Sequence, residues 1–277
     1  MFIEINGIDI FIDIQGKGLP IIAHHGAPGL GSHATPKAAF ANLADSYQIV
    51  TFDARGSGKS TAQPPYTHEQ WVADIDAIRA HLGFEQFIMA GGSYGGYLAL
   101  EYTLAHPKRV THLILRDTAA SHTYEAQAKA NALARAKDFP GINADDLDRI
   151  FSGNMRDDED FKQVFANIAP LYDAHYDPQK TAAWLENIHF RSETHNTAFS
   201  KNLPEFDLSS RLHEIRIPTL VIVGRHDWIT PLAASEEIAH NISKAELVIF
   251  ENSGHSPQKE EPERFIQVVR SFLERNL

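Results

Sequence analysis

The chain contains no cysteine, no apolar run approaching membrane length and no cluster of basic residues. The first absence excludes disulfides, thiolate catalysis and cysteine-ligated metals, and it fits a reducing compartment. The second excludes a transmembrane helix, which needs about 18 or more consecutive apolar residues. The third, with 25 Lys and Arg against 36 Asp and Glu and a net charge of −11, argues against nucleic acid or an anionic membrane as partner. Residues Met1 to Ile10 carry Glu4 and Asp9 and no basic stretch, unlike a secretory leader. The expectation is a cytoplasmic protein acting on a small molecule or short peptide. No repeats or low-complexity tracts occur. In the 277 residues, 43% are of hydrophobic type and 22% are charged, the balance of an ordinary globular chain.

Residues 2–14 alternate apolar and polar side chains on either side of Asn6-Gly7. Asn-Gly supplies the positive φ angles of a tight turn, so a hairpin is expected. Thereafter short Val- and Ile-rich runs appear at Ile21–Ala23, Ile49–Phe52, Phe87–Ala90, His112–Leu115, Thr219–Val223 and Leu247–Phe250. They suit strands covered on both faces. Helix-like segments separate several of them, notably Thr67–Leu82, Tyr94–His106 and Pro231–His240. This alternation predicts an α/β fold with a mostly parallel central sheet and helices on both faces. From about Ala119 to Arg211 no strand pattern occurs. Acidic runs at Asp145-Asp146 and Asp157–Asp160, and the helix-period residues Phe161, Val164, Phe165 and Ile168, predict a helical cap inserted over one end of the sheet. The division is a core of residues 1–118 and 212–277 and a cap of 119–211.

The strongest chemical signal is an apolar strand running into Gly91-Gly92-Ser93-Tyr94-Gly95, a G-x-S-x-G sequence followed by a helix. A sharp strand-to-helix turn there presents the serine hydroxyl at a helix N-terminus. A serine hydroxyl needs a base, and the base needs an orienting carboxylate. Both follow predicted strands, in Gly224-Arg225-His226-Asp227 and in Ser253-Gly254-His255. Functional residues of such sheets lie past the carboxyl ends of strands. Ser93 is therefore assigned as nucleophile, His255 as general acid and base, and Asp227 as the carboxylate setting the tautomer of His255. Of the fifteen histidines, His255 is chosen by chain order and strand-end position. His226 is expected to point away, and His24 and His25 to shape the next loop. The oxyanion donors are the N–H groups of Tyr94 and of Ala27, in His25-Gly26-Ala27-Pro28-Gly29. Asp53-Ala54-Arg55-Gly56-Ser57-Gly58-Lys59-Ser60 lacks Walker spacing and reads as a structural loop. No metal spacing and no cofactor motif are found, and neither ligand is expected.

Together these segments resemble the α/β-hydrolase superfamily over nearly the whole chain. Within it the sequence is most similar to the proline iminopeptidases, which remove N-terminal proline from peptides. Their H-G-G-P-G loop corresponds to His25–Gly29, with Ala27 in place of Gly. Their G-G-S-W-G elbow corresponds to Gly91–Gly95, with Tyr94 in place of Trp. D-x-R-G-x-G-x-S is matched at Asp53, Arg55, Gly56, Gly58 and Ser60, and G-R-Y-D at Gly224–Asp227. The resemblance implies a serine hydrolase working through an acyl-enzyme and releasing N-terminal residues. That family binds the substrate ammonium with cap glutamates. Its E-N-H-Y-F segment resembles Glu186-Asn187-Ile188-His189-Phe190, which makes Glu186 a substrate-binding candidate. W-x-x-W-E has no counterpart, and Glu193 is a further candidate. The same machinery serves a carboxylesterase, lactonase or amidase, and Trp184, Phe190, Phe199 and Phe206 would line an apolar acyl pocket or form the cap's own core. A ligand receptor on this fold is disfavoured by the intact Ser, Asp and His. Haloalkane and epoxide chemistry is disfavoured by serine where a carboxylate would be needed.

Overall fold

In the computed structural model, which describes residues 1–276, the chain opens with the Asn6-Gly7 hairpin. Strand β1 (Phe2–Ile5) pairs antiparallel with β2 (Ile8–Gln15), and Asn6 and Gly7 both take positive φ, 47° and 77°. The short apolar runs become β3 (Leu19–His24), β4 (Tyr47–Phe52), β5 (Phe87–Gly92), β6 (Val110–Arg116), β7 (Thr219–Gly224) and β8 (Ala245–Phe250). The eight strands form one sheet in the order β1-β2-β4-β3-β5-β6-β7-β8. Only the pairings of β2 are antiparallel, and β3 to β8 run parallel. All carboxyl ends of the parallel strands therefore open on one edge of the sheet, where ligand-handling residues of α/β sheets collect.

Helices cover both faces, as right-handed crossovers between parallel strands require. On one face lie α2 (His68–His81), α3 (Tyr94–Ala105) and α9 (Leu232–Asn241), which bury Trp71, Ile75, Ile78, Leu98, Tyr102 and Ile238 against the sheet. On the other, α1 (Ala34–Phe40) and α11 (Pro262–Asn276) bury Phe40, Phe265, Val269, Phe272 and Leu273. Helix α2 begins where the pattern predicts, because the Thr67 side chain accepts the N–H of Gln70 as an N-cap.

Between β6 and β7 the described residues hold helices and a single isolated bridge, Ser121 to Asp207. The helices are α4 (Glu125–Ala134), α5 (Ala144–Ser152), α6 (Asp158–Ile168), α7 (Pro178–Glu186) and α8 (Ser192–Thr197), and the short α10 (Pro257–Glu260) follows β8. The acidic runs prove to be helix starts. Asn143 and Asp157 cap α5 and α6, and Asp145, Asp146 and Asp158–Asp160 fill first turns, where carboxylates meet the positive end of the helix dipole. Phe161, Val164, Phe165 and Ile168 form the buried stripe of α6. They belong to a core separate from the two that sandwich the sheet, shared with Leu147, Ile150, Phe151 and Trp228. No described helix is long and apolar enough to cross a membrane.

Candidate active site

Strand β5 ends at Gly92, and Ser93 caps α3 with φ 54° and ψ −130°, a conformation that non-glycine residues adopt only under constraint. The constraint is close packing. A Cβ on Gly91 would run into the carbonyl of Gly95, and one on Gly95 into the carbonyl of His25. The His25-Gly26 loop is thereby pressed against the turn, so near that a Cβ on Gly26 would stand 3.3 Å from Ser93 Cβ. Two buried histidines brace that loop. His24 Nδ1 donates to the His25 carbonyl (2.7 Å), and His25 Nδ1 donates to the Gly26 carbonyl (2.8 Å). His25 Nε2 accepts the Ala54 N–H (3.0 Å). Burial lowers the pKa of both rings, that of His24 to about 3 with His25 adding to the effect, so they serve as neutral hydrogen-bonding groups. Among the described residues neither the Ala27 nor the Tyr94 backbone N–H donates to a protein acceptor. The Tyr94 ring turns away from the loop, with its hydroxyl 2.6 Å from His68 Nε2.

Asp227 and His255 come together from the ends of neighbouring strands. His255 Nδ1 lies 2.8 Å from Asp227 Oδ2, both side chains being buried. Asp227 also accepts the N–H groups of Ile229 (3.0 Å) and Thr230 (3.1 Å) on Oδ1 and the Thr230 hydroxyl (2.7 Å) on Oδ2. With this much donation to a carboxylate, the ring must present its Nδ1–H, leaving Nε2 with the lone pair. The His255 N–H is held by the Tyr172 carbonyl (2.8 Å) and its carbonyl by Arg116 Nη1 (2.8 Å). His226 is exposed, as expected from its place before Asp227.

Two cavities meet at Ser93, Ala27, Leu30 and Tyr172. One, of about 720 Å³, is mostly aromatic and aliphatic, with Tyr97, Phe151, Phe165, Phe199 and His195 in its wall. Glu125 is its one carboxylate, and Lys129 engages it at 2.8 Å. The other, of about 770 Å³, is lined by His255, Trp184, Asn187, Ile188 and Gln258. Glu186 lines neither. It is exposed at the last position of α7, about 200° around the helix from the cavity-lining Trp184. Glu193 is exposed as well. Of the aromatic residues singled out above, Trp184 and Phe199 line cavities, Phe190 packs on Phe161 and Phe165, and Phe206 stacks on Tyr97.

The sequence pattern did not reveal Asp117, the residue just past β6. It is fully buried, and its carboxylate clusters with Asp227 and His255 within 4.8 Å. Its only local signal is an acidic residue at a strand end. Burial pushes its carboxyl up to about 7, Arg116 opposing and the Asp227 charge adding. Among the described residues this cluster alone has the spacing of a metal site. Its oxygens already accept from Gly224, Arg116, Ile229 and Thr230, and the guanidinium inside it suits carboxylates rather than a further cation.

Residues 20–262 match the model of the alpha/beta hydrolase fold. A protein of Pestalotiopsis fici named proline iminopeptidase PfmaB is 39% identical over 99% of both chains. A proline iminopeptidase of Xylella fastidiosa is 30% identical over 86% of this chain and 84% of its own. An esterase from Exiguobacterium antarcticum superposes with a TM-score of 0.79 at 23% identity, covering 99% of this chain and 98% of the other.

Proposed function

The chain belongs to the alpha/beta hydrolase fold family, and from that premise we propose a serine hydrolase in which Ser93, His255 and Asp227 form the catalytic triad. Ser93 Oγ attacks the substrate carbonyl while His255 Nε2 takes its proton. Asp227 holds the ring tautomer and stabilises the imidazolium. The N–H groups of Ala27 and Tyr94 hold the oxyanion. His255 returns the proton to the leaving group, and a water then deacylates Ser93 by the same route. Residues 119–211 act as the cap that encloses the substrate. The observation that carries this reading is the 2.8 Å contact between His255 Nδ1 and Asp227 Oδ2, on strand ends beside a serine in a constrained turn.

For the substrate, the end-to-end likeness to a proline iminopeptidase favours an aminopeptidase that releases N-terminal residues. One observation favours a second reading, an ester, lactone or simple amide. The aromatic cavity has no unengaged carboxylate for a free ammonium, and a buried unpaired ammonium is costly.

The test compares a chromogenic proline anilide, the same anilide N-acylated, and a short-chain aryl ester, on the wild type and Ser93→Ala. The expected result is cleavage of the free proline anilide, abolished by acylation and lowered by roughly four or more orders of magnitude in Ser93→Ala, with the fold intact. Ester cleavage without anilide turnover selects the second reading. Full turnover in Ser93→Ala overturns the mechanism.

A further inference from the structure

Where β6 ends, the turn Arg116-Asp117-Thr118 touches the elements that carry all three residues of the proposed triad. The Ser93 N–H donates to the carbonyls of Arg116 (2.9 Å) and Asp117 (3.0 Å), and the Thr118 hydroxyl donates to the Ser93 carbonyl (2.8 Å). The Asp117 N–H donates to the Ile222 carbonyl (2.8 Å), and its Oδ1 accepts the N–H of Gly224 (2.9 Å), just ahead of Asp227. Arg116 Nη1 bridges Asp117 Oδ2 (2.9 Å) and the His255 carbonyl (2.8 Å). Asp117 makes these contacts from a left-handed backbone, at φ 45°. A left-handed, non-glycine residue and a buried carboxylate both cost stability, so the pair calls for an explanation in function.

The side chain supplies one. An oxygen of Asp117 lies within 4.8 Å of both Asp227 and a ring nitrogen of His255. Resting on the triad reading above, we propose that Asp117 is a second orienting carboxylate for His255, standing beside Asp227 and able to take over the hydrogen bond to Nδ1 when Asp227 is lost. Trimming Asp227 to alanine removes the carboxylate that now engages His255 Nδ1. It also removes the like charge that helps keep the Asp117 carboxyl protonated, so Asp117 becomes a better acceptor at the moment it is needed. In the intact protein Asp117 is a positioning residue, fixing Gly224 directly and the His255 carbonyl through Arg116.

The experiment measures kcat/KM for Asp117→Asn, Asp227→Ala and the double variant, with Ser93→Ala as the floor and the substrate that the wild type cleaves. A triad that loses its only carboxylate falls by about 10⁴-fold. The expected loss in Asp227→Ala is only about a hundredfold, and in Asp117→Asn under about tenfold. The double variant should drop about a further hundredfold beyond Asp227→Ala, about tenfold or more in excess of the Asp117→Asn loss, which is within the range of coupling between residues of one network. A double variant whose loss equals the product of the single losses, or Asp227→Ala already at the Ser93→Ala floor, overturns the proposal. Should Asp117→Asn fail to fold, the ¹⁵N-labelled Asp227→Ala protein decides. A downfield His255 Nδ1–H resonance persisting there supports the takeover, and its loss refutes it. Failure of the triad reading is distinct, since it shows as turnover in Ser93→Ala whatever Asp117 does.

Discussion

The ends of the parallel strands and the helical stretch between β6 and β7 meet at Ser93, but they are ordered by different forces. At the strand ends, position is set by the sheet ladder and by hydrogen bonds of 2.6–3.1 Å that leave little choice of geometry, such as those of Asp53 to His33 and Lys59 and of Asp227 to Thr230. In the helical stretch the order comes from rings: Phe161, Phe165, Tyr172, Trp184 and Phe190 pack at centroid separations of 5.2–6.4 Å. Hydrogen bonds are directional and hold reacting atoms in place, whereas aromatic packing is tolerant of repacking. Reaction chemistry on a ladder and cavity shape on packed rings lets the second change without the first.

The comparison breaks most visibly if the polar half can be cut without unfolding the chain. Arg55 is buried, and its guanidinium donates to both oxygens of Asp74 (2.8 and 3.1 Å) and to the Gln63 carbonyl (3.1 Å). Asp74 in turn accepts Asn6 of the hairpin and Gln70 of α2 (both 2.8 Å). Arg55→Ala leaves that carboxylate buried and without its cation, a loss of about 3–5 kcal/mol. Denaturant unfolding should show it. A change below about 1 kcal/mol would mean that the strand-end network is no more demanding than the ring-packed half.

The same contrast decided what was legible in the sequence. The hairpin, the strand runs, the helix over Thr67–Leu82 and the strand-end places of Asp227 and His255 all follow from local pattern, because a period-2 run, an Asn-Gly pair or a helical run acts within a few residues. Asp117 was not legible, since its importance comes from β6 lying between β5 and β7, a pairing across more than a hundred residues. His195 was lost among fifteen histidines, and nothing near it in the chain foretells a ring stacked between Phe161 and Phe199. Glu186 was proposed from a family segment, and helix phase turns it outward. Local chemistry is written in neighbouring residues, and cavity walls are written in packing.

A milder probe sets one buried histidine from each half side by side. Burial lowers His24 of β3 and His195 of α8 each to about 3. In the unfolded chain both return to about 6.5. A base with a depressed native pKa contributes stability that is complete above about 6.5 and is lost as pH falls toward 3, by about 1.4 kcal/mol per unit. Asp117, raised to about 7, acts in the opposite sense, since its contribution is lost as pH rises. By pH 5 each histidine should therefore have removed about 2 kcal/mol. His195→Phe, which keeps the ring stack, should flatten the acid limb by that amount relative to the wild type, as read from urea melts at pH 5 and 7. If the flattening appears only in a partial transition, the helical stretch opens on its own and the two halves are energetically separate. If it appears in the single main transition, they unfold together.

The smallest effect is expected at Glu186, and that makes it the sharpest test of where cavity shape resides. The residue is exposed at the last position of α7, about 200° around the helix from Trp184. An exposed carboxylate outside the cavity lining acts on a bound substrate only through screened attraction. Glu186→Gln should change kcat/KM for the proline anilide by less than about twofold, with KM and kcat both near wild type. Trp184→Ala, on the lining face of the same helix, should raise KM while sparing the hydrolysis step, because it removes wall and no reacting group. A large rise in KM for Glu186→Gln that grows weaker with added salt would show that the free amine is read from outside the aromatic wall. The helical stretch would then contribute charge as well as shape, and the division drawn between the two halves would fail at the residue where the sequence first placed substrate recognition.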